Sequence, residues 1–170
     1  LDRVRKAMKG DKTLEGEVAL LERVQATLNE GRSARTMELS EEERLCLEES
    51  PLLSLKPIIY VANIGEDELG CGFEKNAGYQ ALKAHAESEH AGLIEVCAGI
   101  EAELAELDGE EKKAFLADLG IESSGLDRLI SASYSLLGLI SFLTAGPKEV
   151  RAWTITRGTK APQAAGKIHS

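Results

Sequence analysis

The chain has 170 residues, 43% of them hydrophobic and 4% aromatic, enough apolar material to pack one ordinary domain or parts of several. Its formal net charge of −9 argues against a general affinity for nucleic acid, unless basic residues are segregated into a patch. Cys46, Cys71 and Cys97 suit neither a disulfide framework nor a zinc knuckle, and no apolar run spans a membrane or opens a signal peptide, so a cytoplasmic protein without a membrane segment is expected.

Leu1, Val4 and Met8 already keep a helical stripe with no start signal ahead of them, which suggests a chain cut from something larger. Gly10-Asp11-Lys12 breaks this first helix. Thr13 can cap a second one carrying Leu14, Val18, Leu21, Val24 and Leu28 on one side, and Gly31 stops it. Two such helices across a short loop read as an antiparallel coiled-coil hairpin or as an ordinary bundle pair. Ser40-Glu41-Glu42-Glu43 is a capping box opening a third, short helix with Leu45 and Leu47, closed by Pro51.

Behind Pro57, the residues Ile58 to Ala62 form an unbroken apolar run that stops at Asn63, with Gly65 two positions on. This pattern predicts a strand buried on both faces, as in parallel sheets covered by helices. Ligands of open α/β sheets bind beyond the carboxyl ends of such strands. That places Asn63, Ile64 and Glu66 at the expected ligand position. An Asn amide both donates and accepts, whereas an ionised carboxylate only accepts. A base could therefore be gripped by Asn63 and have its edge tested by Glu66, although a simple turn accommodates the same residues.

Glu68 to Lys75, with Gly70-Cys71-Gly72, reads as a flexible surface connection whose spacing fits no phosphate loop. Residues 76 to 91 form an amphipathic helix through Tyr79, Leu82 and Ala86. His85 and His90 are spaced wrongly to share one face as metal ligands. A second strand, Leu93 to Cys97, completes a βαβ unit and implies a parallel neighbour. The small Ala98 and Gly99 beyond it either let backbone N–H groups approach a ligand or make a tight turn into the next helix.

Ile100 to Leu107 is helical. A second capping box, Asp108-Gly109-Glu110-Glu111, precedes Phe115, Leu116 and Leu119, and Gly120 ends that helix. Ser124-Gly125-Leu126-Asp127 starts a longer helix expected to turn Leu126, Leu129, Ile130 and Leu137 inward. Leu139 to Thr144 and Lys148 to Ile155, joined at Gly146-Pro147, read as a β-hairpin. Basic residues then gather at Arg151, Arg157, Lys160 and Lys167, a change of sign that suits a separate module touching phosphates or a solvated strand face.

Three segments carry a resemblance. Lys56-Pro57-Ile58-Ile59-Tyr60-Val61-Ala62-Asn63-Ile64-Gly65-Glu66 resembles the nucleotide-base motif of the Obg-like ATPases (the YchF family), and so does Ile100 to Leu107. Thr144-Ala145-Gly146-Pro147-Lys148-Glu149-Val150-Arg151-Ala152-Trp153-Thr154-Ile155, continuing from Gly158 through Gly166, resembles the start of its TGS domain. The segments stand in the family's order and together cover essentially the whole chain.

The resemblance implies an α/β fold: part of a P-loop NTPase parallel sheet, a helical coiled-coil insertion, and the start of a β-grasp (TGS) module. Residues 1–52 would be part of the insertion, 53–136 the C-terminal part of the NTPase domain and 137–170 the start of the TGS domain. It further implies a monomeric ribosome-associated enzyme that hydrolyses ATP in preference to GTP with Mg²⁺. Asn63 and Ile64 would contact adenine, Glu66 would hold the specificity position, and Cys97, Ala98 and Gly99 would form the second base-side loop. The guanine-specific form of the motif has Lys second and Asp fourth, where Ile64 and Glu66 stand here; the family usually has a basic residue at Gly99, so that position is left a backbone contact. Arg151, Arg157 and Lys160 are candidates for contact with the ribosome or its RNA. No Gly-x-x-x-x-Gly-Lys-Ser/Thr loop occurs in these residues, so neither catalytic nor Mg²⁺-binding residues are assigned, and the piece is expected to be inactive alone. Two other readings stand beside this one: a non-enzymatic ribosome or RNA interaction module, and an ordinary GTP-binding regulator.

Overall fold

The computed structural model describes residues 2–8, 14–48, 52–69, 72–147 and 149–168. These divide into two units, Leu1–Ile58 with Ala84–Ala91, and Ile59–Lys83 with Gly92–Ser170. The predicted break at Gly10-Asp11-Lys12, the Thr13 cap, the Pro51 stop and Gly70-Cys71 lie outside the described residues.

In the first unit, α1 (Asp2–Met8) packs against α2 (Glu15–Asn29), and Arg5 Nη2 reaches Glu22 Oε1 at 2.7 Å. The inward face of α2 differs from the expected stripe. Leu20 is buried beside Val18 and Val24, while Leu28 is 40% exposed near the helix end, where Gly31 turns the chain at φ 74°. Leu20 and Val24 pack with Leu47 of α3 (Glu41–Glu48), surrounded by Leu21, Met37, Leu39, Leu52 and Leu55. The capping box ahead of α3 forms as expected: Ser40 Oγ accepts from the Glu43 N–H at 3.2 Å, and Glu43 Oε2 accepts from the Ser40 N–H at 2.9 Å. That backbone N–H, with help from Arg23, holds the Glu43 carboxyl below its ordinary range.

An ion pair lies inside this unit. Arg35 Nη1 meets Glu89 Oε2 at 2.9 Å, its Nε donates to the Lys56 carbonyl at 3.1 Å, and the Ser33 hydroxyl also donates to Glu89. His85 and His90 are exposed.

The second unit is built on a parallel strand pair, β1 (Ile59–Asn63) and β2 (Gly92–Val96). Parallel strands need a long crossover, and α4 (Ala77–Ser88) lies in it. The register runs from Ile59 opposite Gly92 to Asn63 opposite Val96, so both strands finish level. One more rung follows, the Ile64 N–H donating to the Val96 carbonyl at 2.9 Å. The expectation of a strand buried on both faces is corrected here: Val61 is 45% exposed. Burial of both faces needs layers on both sides of a wider sheet, and among the described residues β1 pairs with β2 alone.

Beyond β2, α5 (Ala98–Glu106) begins at once and α6 (Gly109–Asp118) follows. Asp108 Oδ1 accepts from the Glu110 and Glu111 N–H groups at 3.0 Å each, realising the second capping box. Ala62, Ile64, Cys97, Ile100, Leu104 and Leu116 form the buried core. The segment expected as a flexible surface connection takes part in it. Leu69 and Phe73 pack against this core, and the Phe73 ring meets Tyr79 edge-on at 5.0 Å between centroids. Two large apolar side chains in so short a loop have more to gain from burial than from exposure.

The inward face of α7 (Gly125–Leu136) also departs from the expected one. Leu126, Ile130 and Leu137 are 52%, 49% and 57% exposed, and of the four predicted residues only Leu129 is half-buried. The contacting face instead runs through Gly125, Leu129, Ala132 and Ser133 against β2. Gly125 decides this, because a Cβ there would lie 3.0 Å from Val96 Cγ2. Arg128 Nη2 adds a hydrogen bond to the Glu95 carbonyl at 2.8 Å. The predicted hairpin forms as β3 (Leu139–Ala145) and β4 (Val150–Thr156), antiparallel, with the Gly146 N–H donating to the Glu149 carbonyl at 2.9 Å. A short α8 (Ala161–Gly166) follows.

Candidate functional site

Level strand ends bring the two predicted loops together. Asn63 is the last residue of β1, and Cys97 lies between β2 and α5. The Asn63 Oδ1 accepts a hydrogen bond from the Ala98 N–H at 3.1 Å. A backbone N–H can only donate, so this contact fixes the amide orientation and turns Nδ2 away from Ala98. Asn63, Ala98 and Gly99 are exposed. Ile64 and Cys97 are buried and belong to the core, so their side chains anchor the two loops from below.

Glu66 also meets the second loop. Its Oε1 lies 2.5 Å from where a Cβ on Gly99 would stand, so its carboxylate rests over the first turn of α5. The Cys97 side chain makes no capping hydrogen bond to α5, and the Glu66 carboxylate adds to the first-turn Glu101 negative charge at the positive end of that helix. The five positions Asn63, Glu66, Cys97, Ala98 and Gly99 thus meet at one edge, with Ile64 beneath it. The arrangement presents an amide donor and a carboxylate acceptor, a pair suited to the edge of a nucleobase.

Glu68 went unnoticed in the sequence and positions this edge. Its Oε1 accepts from Asn76 Nδ2 at 3.0 Å and its Oε2 from the Gly65 N–H at 3.3 Å, closing the loop that carries Glu66. These contacts, that with Asn76 foremost, hold the Glu68 carboxyl below its ordinary range. The only available signal was the three-residue interval from Gly65 to Glu68, which matches a capping box without its Ser or Thr. Tyr79 was likewise missed as a polar residue. Its hydroxyl donates to Glu95 Oε1 at 2.5 Å, and its pKa is pushed up to about 12, chiefly by that bond.

Asn63 and Ile64 also line a cavity of about 280 Å³ with Val61, Glu68, Phe73, Tyr79 and Leu82. Glu66, Ala98 and Gly99 do not line it, so the candidate edge is an open surface at the strand ends. A larger cavity of about 490 Å³ in the first unit, lined by Leu39, Leu47, Leu52 and Leu55, contains none of the candidate residues. Among the described residues no group of three His, Cys, Asp or Glu side chains could hold a metal ion, and no helix is long and apolar enough to cross a membrane.

On the hairpin, Arg151 stacks over the Trp153 ring at 4.1 Å, and Trp153 Nε1 donates to Thr144 Oγ1 at 2.9 Å. Arg157 and Lys160 are exposed beyond β4. Among the described residues none of these three cations forms a salt bridge. Arg151 is fixed by its stacking, whereas nothing comparable gathers Arg157 and Lys160 beside it.

A family model named YchF-GTPase_C, described as "Protein of unknown function (DUF933)", matches residues 139–170. The chain is 47% identical over 164 residues to the "Ribosome-binding ATPase YchF" of Bacillus subtilis (strain 168), covering 96% of this chain and 44% of that protein. It is 45% identical over 166 residues to the protein of the same name from Escherichia coli O157:H7, covering 98% of this chain and 45% of that one. A solved structure, "Structure of the Schizosaccharomyces pombe YchF GTPase", superposes with a TM-score of 0.82 at 33% identity, covering 98% of this chain and 47% of its own. The chain therefore spans less than half the length of the relatives it matches.

Proposed function

The chain belongs to the YchF family, and from this premise we propose that it supplies the base-recognition half of the nucleotide site in a cytoplasmic, ribosome-associated ATP hydrolase. The observation that carries this reading is the meeting of Asn63, Ala98, Gly99 and Glu66 at the level ends of two parallel strands. Asn63 Nδ2 is free to donate to a purine ring nitrogen. The Glu66 carboxylate accepts from an exocyclic amine. Ile64, beneath the edge, fixes the backbone from which both project.

We assign Leu1 to Leu52 to a helical coiled-coil insertion, residues 53–136 to the NTPase domain and residues 137–170 to the start of a TGS β-grasp module. Phosphates and Mg²⁺ are held by residues outside this chain, because no phosphate loop occurs in the sequence and among the described residues no acidic cluster gathers for a metal. Mg²⁺ would supply charge neutralisation at the phosphates; the residues here bind and orient the base. The chain by itself is expected to release no phosphate from ATP.

The relatives' names differ on the nucleotide, ATPase for the bacterial proteins and GTPase for the fission yeast structure. Equilibrium titration of the complete parent protein with both nucleotides decides between them. ATP should bind at least as tightly as GTP, and Asn63→Ala should weaken ATP by about 1–3 kcal/mol, the worth of one buried polar contact. Equal binding by wild type and Asn63→Ala would remove the base site from these strand ends. A non-enzymatic reading is favoured by one observation, the stacked Arg151 on an otherwise acidic chain. It gains if ribosome association is lost with Arg151→Ala and is indifferent to nucleotide.

A further inference from the structure

Cys97, Ala98 and Gly99 carry the chain from β2 into α5, and their placement depends on how the two ends of this turn are held. Toward β1 the ties are short. The Val96 carbonyl accepts from the Ile64 N–H at 2.9 Å, and the Ala98 N–H is taken by Asn63 Oδ1. Beyond the turn stands Glu101, half-buried in the first turn of α5, its N–H donating to the Cys97 carbonyl at 3.0 Å. Its side chain leaves α5 altogether: Oε1 accepts from the N–H of Gly125, the first residue of α7, at 2.6 Å. The first N–H groups of a helix lack partners within it. At α7 the fully buried Ser124 serves that of Asp127 at 3.1 Å, and Glu101 serves that of Gly125.

Shape reinforces the bond. A Cβ at Gly125 would lie 3.0 Å from Glu101 Oε1 and 3.0 and 3.1 Å from the two Val96 methyl groups. Glycine therefore lets α7 touch the chain on both sides of the turn, at Val96 just before it and at Glu101 shortly after. We propose that Glu101 is a positioning residue for nucleotide binding: its carboxylate latches the first turn of α5 to the first N–H of α7 and so fixes the turn from Cys97 to Gly99 where a base is received. The inference rests on the purine-site reading above and deepens it. Asn63 holds the turn from β1 and Glu101 holds it from α7. Glu101 acts through the backbone of the turn and touches no nucleotide.

The test uses the complete parent protein and compares wild type, Glu101→Gln, Glu101→Leu, Asn63→Ala and the Asn63→Ala/Glu101→Leu double variant. ATP affinity is measured by titration, and amide hydrogen exchange is followed at Ala98 and along α6. Glu101→Leu keeps the bulk of the side chain and removes the acceptor. It should weaken ATP by about tenfold, the scale of one buried polar contact. It should also speed exchange at Ala98 while α6 keeps its wild-type protection, since the opening is local. Glu101→Gln retains an acceptor oxygen and should restore both. The double variant should lose less than the two single losses combined, because both side chains act on one turn. Wild-type ATP affinity in Glu101→Leu overturns the proposal, as does a Glu101→Gln protein as weak as Glu101→Leu. Equal acceleration at Ala98 and along α6 overturns it too, by showing a general loosening, and so do losses that add in full. If Asn63→Ala leaves ATP affinity untouched, the base site and the latch both fall. If Asn63→Ala weakens ATP and Glu101→Leu does not, the latch falls alone.

Discussion

Asn63 closes the gap between two strand ends with one hydrogen bond, its Oδ1 accepting from the Ala98 N–H at 3.1 Å. The residue thus has two separable tasks, joining the loops through its oxygen and offering Nδ2 outward. Asn63→Asp keeps the acceptor and deletes the donor. In the parent protein it should weaken ATP binding by about 1–3 kcal/mol while leaving the melting temperature near wild type. Asn63→Ala should lose both, since the Ala98 N–H is then unpaired. Calorimetric titration beside thermal unfolding distinguishes the two variants, and an Asn63→Asp protein with full ATP affinity would show that the amide is not the contact.

Tyr79 links α4 to β2 through Glu95. Its folded pKa is pushed up to about 12, above the ordinary value of about 10. A group raised on folding contributes stability that is full below its unfolded pKa and is lost as pH rises through the folded one. The bond should therefore support the chain up to about pH 10 and fade between about pH 10 and 12. Tyr79→Phe should flatten the unfolding free energy across that window. An unchanged alkaline slope in Tyr79→Phe would mean that another group carries it.

Arg35 and Glu89 form an ion pair with side chains 14% and 9% exposed. Breaking such a pair leaves one charge buried without its partner, which costs about 3–5 kcal/mol. Arg35→Ala should fall at the lower end, because Glu89 keeps the Ser33 hydroxyl. Replacing both residues, as in Arg35→Met with Glu89→Leu, should recover much of the loss. Urea unfolding of the three variants checks this, and a double variant worse than Arg35→Ala would contradict it.

Arg151 over Trp153 presents a fixed cation on the hairpin. If that hairpin meets ribosomal RNA, Arg151→Ala should weaken co-sedimentation of the parent with ribosomes, and more so at low salt, where phosphate contacts are strongest. Arg151→Lys should retain part of the binding, since it keeps charge and loses planar stacking. Equal co-sedimentation by all three proteins across a salt series would remove Arg151 from the interface.

Local patterns announced much of this architecture. The run after Pro57, the helix through Tyr79 and Leu82, and the run from Leu93 were enough to expect parallel neighbours, and the boxes at Ser40 and Asp108 formed where their spacing placed them. The inward side of α7 was not legible, because Leu126, Ile130 and Leu137 make a persuasive stripe. The choice was made by a tertiary contact, the close approach of Gly125 to Val96. At the site, the strand-end position of Asn63 could be read from chain order alone. The resting place of Glu66 on Gly99 could not, nor could the bonds of Glu68 to Asn76 and of Tyr79 to Glu95. Such pairs depend on how loops fold back, and no period of two or 3.6 residues encodes that.

The most direct measurement is a structure of the complete parent protein bound to a non-hydrolysable ATP analogue. The account predicts adenine at the ends of β1 and β2, with Asn63 Nδ2 and a Glu66 carboxylate oxygen each within hydrogen-bond distance of the ring edge and the Glu66 side chain still lying over Gly99. Adenine bound anywhere else, or bound there with Glu66 turned away from its amino group, would contradict it.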